Sequence, residues 1–274
     1  MLPLRPLGKS GLMISPLGLG TVKLGRNTAL KYPAPFDLPT DVQAADLLRA
    51  AQKLGVTLLD TAPAYGEAEE RIGRILGACG GRDRWTLITK AGEHFDPATG
   101  VSTFDFTPRG ITDSVERSLK KLRTDRLDAV LLHSDGDDER ILRDGAALHA
   151  LHTLKRKRRI RAVGISTKTA SGGLLAVTSG LCDLVMLTLN AGHDADLPAI
   201  REAAKRGVGV LIKKPFASGH GVASSTPEAA LGLCLAEPGV TSIIVGTLSL
   251  AHLEQNARAV QARIGPPGFA PASN

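Results

Sequence analysis

A chain of 274 residues is close to the ~250 of an eight-fold β/α barrel and can bury a large core without disulfide or metal staples. Apolar residues at 43%, charged residues at 22% and aromatics at only 3% describe an ordinary globular protein with too few rings for a base-stacking surface. The formal charge of +7 therefore suits a phosphate-bearing small molecule or solubility, and no nucleic-acid partner is expected.

The chain opens with Leu2–Ile14, where Gly8-Lys9-Ser10-Gly11 lies between apolar flanks. That pattern reads as a β-hairpin able to plug the lower end of a barrel. A strand over Leu17–Thr21 leads to a helix near 40–54, announced by Pro39-Thr40-Asp41. Strand Thr57–Ala62 precedes a helix near 67–78, and Trp85–Lys90 precedes one near 108–122 that starts at Thr107-Pro108. Leu127–Ser134, Ala162–Thr167 and Leu184–Asn190 are followed by helical patterns near 145–157, 168–178 and 196–206. Gly209–Lys214 leads to 226–236, entered through Ser225-Thr226-Pro227-Glu228, and Ser242–Thr247 leads to 249–262. The remainder, from about residue 265, is rich in glycine and proline and is expected to be a disordered tail.

The strands are nearly continuous apolar runs, as expected for a parallel sheet buried on both faces. Eight such units favour a closed (β/α)8 TIM barrel, a single domain over residues 1–274, rather than an open sheet. The open alternative usually carries a Gly-rich turn after its first strand. Gly18-Leu19-Gly20-Thr21-Val22-Lys23 lacks the third glycine of that fingerprint. Cys79, Cys182 and Cys234 show neither metal nor redox spacing and read as buried small hydrophobes in a reducing compartment. No long apolar leader and no membrane-length apolar run occurs, so a cytoplasmic chain without a membrane partner is expected.

In such barrels the chemistry collects at the C-terminal ends of the strands. The polar residues there are Thr21, Asp60, Lys90, His133, Ser166, Asn190, Lys213, Lys214 and Thr247, with Tyr65 in the turn Pro63-Ala64-Tyr65-Gly66. A carboxylate beside an ammonium in a desolvated site keeps both ionised. An ammonium beside a phenol is expected to lower the pKa of Tyr65 toward the working range. Tyr65 could then give a proton to a carbonyl oxygen, and His133 could orient that oxygen.

Gly55-Val56-Thr57-Leu58-Leu59-Asp60-Thr61-Ala62-Pro63-Ala64-Tyr65-Gly66, followed by Glu69-Glu70-Arg71-Ile72-Gly73, resembles the signature segment of the aldo-keto reductases. Leu127–His133, Arg161–Ser166 and Ile243–Thr247 with His252-Leu253-Glu254-Gln255-Asn256 resemble later blocks of that family in order. Within it the chain looks nearest to bacterial, aldose-dehydrogenase-like members. The resemblance implies a barrel that binds NADP(H), with NAD(H) as the alternative, and a catalytic tetrad of Asp60, Tyr65, Lys90 and His133. It implies hydride transfer to or from aldehydes, ketones or sugar hemiacetals, in a monomer or weak homo-oligomer.

Carried over by position, Gly20, Thr21 and Asp60 border the cofactor, and Ser166 and Thr167 stand where the family has Ser-Asn on the nicotinamide carboxamide. Met186 replaces a common glutamine. Lys213, with Lys214, Phe216, Ser218 and Gly219, stands where a tyrosine often stacks on the ring. Lys213 would turn to the pyrophosphate, cover the ring with its stem, or face solvent. Gly246, Thr247, Ser249, His252, Gln255 and Asn256 would meet the adenosine end, although Leu248 stands where a basic residue commonly meets the 2′-phosphate. The departures at Met186, Lys213 and Leu248 keep a second reading open, a nucleotide-binding redox sensor with little turnover. A metal-dependent hydrolase is a remote third, and no metal is expected.

Several other features are read as structural. The basic run Lys155–Arg161 suits a helix end in solvent. The acidic stretch Asp135–Glu139 lacks calcium-loop spacing and is expected to be a mobile loop at the mouth. Residues 93–109 form an insertion expected to line the pocket, and Trp85 is expected in the core at the opposite end. The short C-terminus predicts an open pocket.

Overall fold

In the computed structural model, which describes residues 1–79, 81–220 and 226–264, the chain begins with a small antiparallel hairpin, β1 (Arg5–Pro6) and β2 (Met13–Ile14). The apolar runs then form eight barrel strands: β3 (Leu17–Gly20), β4 (Leu58–Asp60), β5 (Thr86–Ala91), β8 (Leu127–His133), β9 (Ile160–Ser166), β10 (Leu184–Thr188), β11 (Gly209–Lys213) and β12 (Val240–Val245). These strands are parallel and adjacent in chain order, and the barrel closes where Ile243 of β12 lies opposite Leu17 of β3. A second hairpin, β6 (Glu93–Asp96) and β7 (Val101–Phe104), stands outside the barrel.

The outer layer comprises α1 (Asp41–Lys53), α2 (Ala68–Cys79), α3 (Pro108–Lys121), α5 (Ala146–Arg156), α6 (Ala170–Thr178), α7 (Leu197–Arg206), α8 (Pro227–Leu235) and α9 (Leu250–Ile264). Their starts follow the sequence signals. Thr40, Thr107 and Thr226 each accept a hydrogen bond from a backbone amide in the first turn, those of Gln43, Gly110 and Ala229 respectively. At Thr40 the Gln43 side chain returns the bond, completing a capping box.

Strand alternation divides the core in two. Outward-facing residues such as Leu59, Leu87, Val130 and Ile165 pack under the helices, whereas Leu58, Ile88, Leu131, Met186, Leu211 and Ile244 fill the barrel interior. Leu7, Leu12 and Ile14 of the first hairpin join the interior cluster and close its lower end. Two residues beyond inner-core positions, the same face emerges as Asp60, Lys90, His133 and Lys213, so the pleat that builds the core also aims these side chains into the mouth. Trp85, only 3% exposed, precedes β5 at the other end.

The acidic stretch is only partly a loop, because Asp138 and Glu139 open a helix. Asp137 caps a short helix, α4 (Asp138–Asp144), and the buried Asp138 carboxylate accepts the amides of Lys168 and Thr169 at 2.9 and 2.7 Å. Its charge is spent on backbone donors, which no sequence pattern displayed. In the basic run, Lys155, Arg159 and Arg161 pair with the carboxylates of Asp183, Glu116 and Asp128. Within the 93–109 insertion, residues 93–104 form the β6–β7 hairpin and Pro108-Arg109 open α3. Residues 21–40 run along one side of the mouth, bringing Tyr32 to Gly246 and Pro33 to Gly219. His220 Nε2 lies 2.7 Å from the Lys31 carbonyl oxygen, joining that loop to the segment after β11. The tail from 265 lies outside the described residues.

Candidate active site

Lys90 is the centre of the mouth. Its ammonium donates to Asp60 Oδ1 at 2.6 Å and to the Thr61 carbonyl at 2.9 Å, with Lys90 1% and Asp60 3% exposed. Burial alone would lower its pKa; the facing Asp60 carboxylate and Tyr65 outweigh this and raise it, so the ammonium is retained. Each charge is thus compensated where water is excluded.

Tyr65 arrives from a single 3-10 turn, Pro63–Tyr65, that ends at Gly66. Gly66 has φ +63°, and a Cβ there would lie 2.2 Å from the Gly25 carbonyl oxygen, so only glycine lets the chain turn this sharply behind the tyrosine. The Tyr65 ring centroid lies 4.8 Å from Lys90 Nζ and 6.3 Å from the His133 ring, which it meets edge-on at 86°. The structure corrects the expected direction of its titration. Burial pushes the phenol up to about 12, and the neighbouring Lys90 ammonium only partly offsets it. The Asp60 carboxylate bonded to that ammonium also disfavours a phenolate.

His133 has a partner that the sequence did not reveal. Its Nδ1 lies 2.6 Å from Glu93 Oε2, a close ion-pair contact not aligned as a hydrogen bond. Glu93 Oε1 accepts the Ser102 hydroxyl at 2.6 Å across the β6–β7 hairpin. Burial would raise the Glu93 pKa, but His133, Ser102 and the more distant Lys168 outweigh it and hold the carboxyl down at about 2. Burial lowers the pKa of His133, against a rise from Glu93. The only sequence signal was an acid three residues past Lys90. Arg26, also unforeseen, lies over the Phe95 ring at 3.4 Å and donates to the Ala64 carbonyl beside Tyr65.

The residues assigned to cofactor by resemblance divide. Ser166 ends β9 and Thr167 follows it, beside Lys213, whose Nζ donates to Ser166 Oγ at 3.0 Å and to the Thr167 carbonyl. Lys213 therefore faces into the barrel instead of solvent. Burial, with Lys214 and Lys90 nearby, pushes its amine down to about 7. Gly20 and Gly246 flank one another at the ends of β3 and β12, with the Tyr32 hydroxyl 3.6 Å from where a Gly246 Cβ would stand. Lys214 and Gly219 are exposed, and Phe216 and Ser218 are partly so.

Several other assignments are buried or already bonded within the protein. Met186 is 2% exposed and packs in the interior cluster, because its place on the β10 pleat points it inward below the rim. Thr21 is buried, and its hydroxyl donates to the Asp60 carbonyl. Asn256 is 4% exposed, turned inward on α9, while His252 and Gln255 on the same helix are exposed. Thr247 and Ser249 hydroxyls accept the amides of Ser249 and His252, starting α9. Asn190 Nδ2 donates to the Lys214 carbonyl, a structural bond as expected.

A polyanionic dinucleotide fits this rim chemically. Burial and the neighbouring Lys31 and Lys168 depress the Lys214 amine, a repulsion that an anion would relieve. Among the described residues, no three His, Cys, Asp or Glu side chains gather as a metal site. No described helix is long and apolar enough to cross a membrane.

Known proteins share this architecture. The model of the Aldo/keto reductase family matches residues 16–219. L-galactose dehydrogenase of Arabidopsis thaliana is 27% identical over 94% of this chain and 88% of the plant protein. D-threo-aldose 1-dehydrogenase of a Pseudomonas species is 29% identical over 80% of this chain and 70% of its own length. A crystal structure from Pseudomonas aeruginosa, assigned to the aldo-keto reductases, superimposes with a TM-score of 0.85 at 43% identity, covering 96% of this chain and 95% of that one. The closed parallel barrel, its hairpin plug and the matching segment that carries Asp60, Tyr65, Lys90 and His133 together show that the chain belongs to the aldo/keto reductase family.

Proposed function

We propose that this chain moves hydride between NADP(H) and an aldehyde, ketone or sugar hemiacetal, with Tyr65 as the proton donor and acceptor. The observation that carries this reading is the buried Lys90 ammonium, bonded to Asp60 and facing the Tyr65 ring in the mouth. The bound nicotinamide supplies or takes the hydride at the carbonyl carbon. Ser166, Thr167 and Lys213 would hold its carboxamide, and Lys214, Ser218 and Gly219 its pyrophosphate. Ser249, His252 and Gln255 are suited to the adenosine end. With Leu248 in place of a base, NAD(H) is the alternative cofactor.

A phenol held up to about 12 keeps its proton throughout the neutral range. It is therefore available as a donor when hydride reaches carbon and negative charge grows on the carbonyl oxygen. The phenolate left behind is stabilised by the Lys90 ammonium, which Asp60 holds in place. His133, edge-on to Tyr65, would orient the same oxygen and share its developing charge. The sugar dehydrogenase names of two relatives favour sugar aldehydes or their hemiacetals among the substrates.

The test is Tyr65→Phe, which keeps the ring and removes the proton. NADPH oxidation with small aldehydes should fall by roughly 10²- to 10⁴-fold, while NADPH titration by fluorescence quenching remains as in the parent. Equal rates in the two proteins would refute the role of Tyr65. Tight NADPH binding without turnover over a broad carbonyl and sugar panel would favour the sensor instead.

A further inference from the structure

Glu93 stands outside the tetrad, yet it is built into the site. It follows β5 by two residues, turns back through the β6–β7 hairpin, and sets Oε2 at 2.6 Å from His133 Nδ1. Its other oxygen accepts from Ser102 on the partner strand, so the carboxylate is held from both sides. We propose that Glu93 is a positioning residue that keeps the ring proton of His133 on Nδ1, so that the Glu93–His133 pair acts as a second proton carrier at the carbonyl oxygen. This rests on the oxidoreductase reading above.

The physical reason is local. Although the contact is not aligned as a hydrogen bond, a carboxylate oxygen 2.6 Å from Nδ1 repels a lone pair there and attracts a proton, which favours the neutral tautomer protonated on that nitrogen. Nε2 then has a free lone pair and can accept a proton from an alcohol during oxidation. When the ring is protonated, Nε2 carries hydrogen too and can donate it to the carbonyl oxygen during reduction. In that direction hydride goes to carbon, the Nε2 proton goes to oxygen, and the neutral pair regains a proton from water. A histidine without the carboxylate would favour neither tautomer on these grounds.

Other charges bear on the pair from each neighbouring element. Lys90 of β5 and Lys213 of β11 oppose the imidazolium. Tyr65 faces the ring, and Lys168 after β9 favours the Glu93 carboxylate, while Glu93 in turn supports the charge on Arg26 after β3. Glu93 is the anion in direct contact with the ring, so its removal has a signed consequence.

The experiment is a pH titration of the full-length protein labelled with 15N-histidine, His133 being assigned by its loss in His133→Asn. Neutral His133 in the parent should show the Nδ1–H tautomer. In Glu93→Gln the amide can donate to Nδ1, so the ring proton should move to Nε2 and the imidazolium midpoint should fall by about one pH unit or more. The high-pH limb of carbonyl reduction should shift down by the same amount, and Glu93→Asp should restore much of it. An Nε2–H tautomer in the parent would overturn the proposal, as would the same His133 midpoint in parent and Glu93→Gln. If Glu93→Gln does not fold, the parent tautomer decides alone. A parent with the expected titration but no turnover would support the pairing and refute the proposed function, so the two failures are distinguishable.

Discussion

At the scale of single residues, Lys213 shows how burial redirects a side chain. Sequence left it three fates; the interior face of β11 turned its amine onto Ser166 and the Thr167 carbonyl. Its pKa, 10.5 for a free lysine, is pushed down to about 7 by burial. Between these values the unfolded chain holds a proton that the folded chain lacks, so stability rises with pH across that window. Below about 7 both states are protonated and the contribution is constant. Lys213→Met abolishes this dependence. Thermal unfolding from about pH 6 to about pH 9.5 should therefore show the parent gaining on the variant as pH rises. A constant difference would mean that the buried amine remains charged.

The secondary elements were legible where periodicity and caps agreed. Helices α1, α3 and α8 begin where Thr40, Thr107 and Thr226 announced them, because capping is a contact within one turn. Helix α4 was missed for the opposite reason. Its anchor is Asp138, whose partners, the Lys168 and Thr169 amides and the Thr169 hydroxyl, lie about thirty residues away in sequence. Asp138→Ala strands these donors and should cost about 2 kcal/mol, read as a lower melting temperature. Asp138→Asn, which keeps one acceptor oxygen, should lose less. Unchanged melting in Asp138→Ala would show that water replaces the carboxylate.

For the whole molecule, the hairpin plug and the mouth lie at opposite ends of one interior. Leu7 is fully buried, in the same cluster as Leu12, Ile14 and Leu211. Leu7→Ala opens a cavity there and should cost about 2–5 kcal/mol. Because the strands carry Asp60, Lys90 and His133 at their far ends, KM for an aldehyde should stay unchanged. Denaturant midpoints and steady-state kinetics on one preparation check both parts. A raised KM with unaltered stability would place the plug in the wrong role.

The barrel, its strand order and the convergence of Asp60, Tyr65, Lys90 and His133 followed from sequence, since alternate residues of a buried strand share a face and strand ends share a rim. Only the tertiary structure decided what surrounds those groups. Glu93 reaches His133 through a hairpin, Lys213 fills the side of the mouth near Ser166, Met186 falls below the rim, and the 21–40 loop crosses to His220. Such contacts join residues from separate elements, and their direction depends on pleat and burial rather than on spacing. The titration of Tyr65 belongs to the same class. Its neighbours were known from sequence, but whether ammonium or burial prevails depends on how much water the fold admits, and here burial prevails.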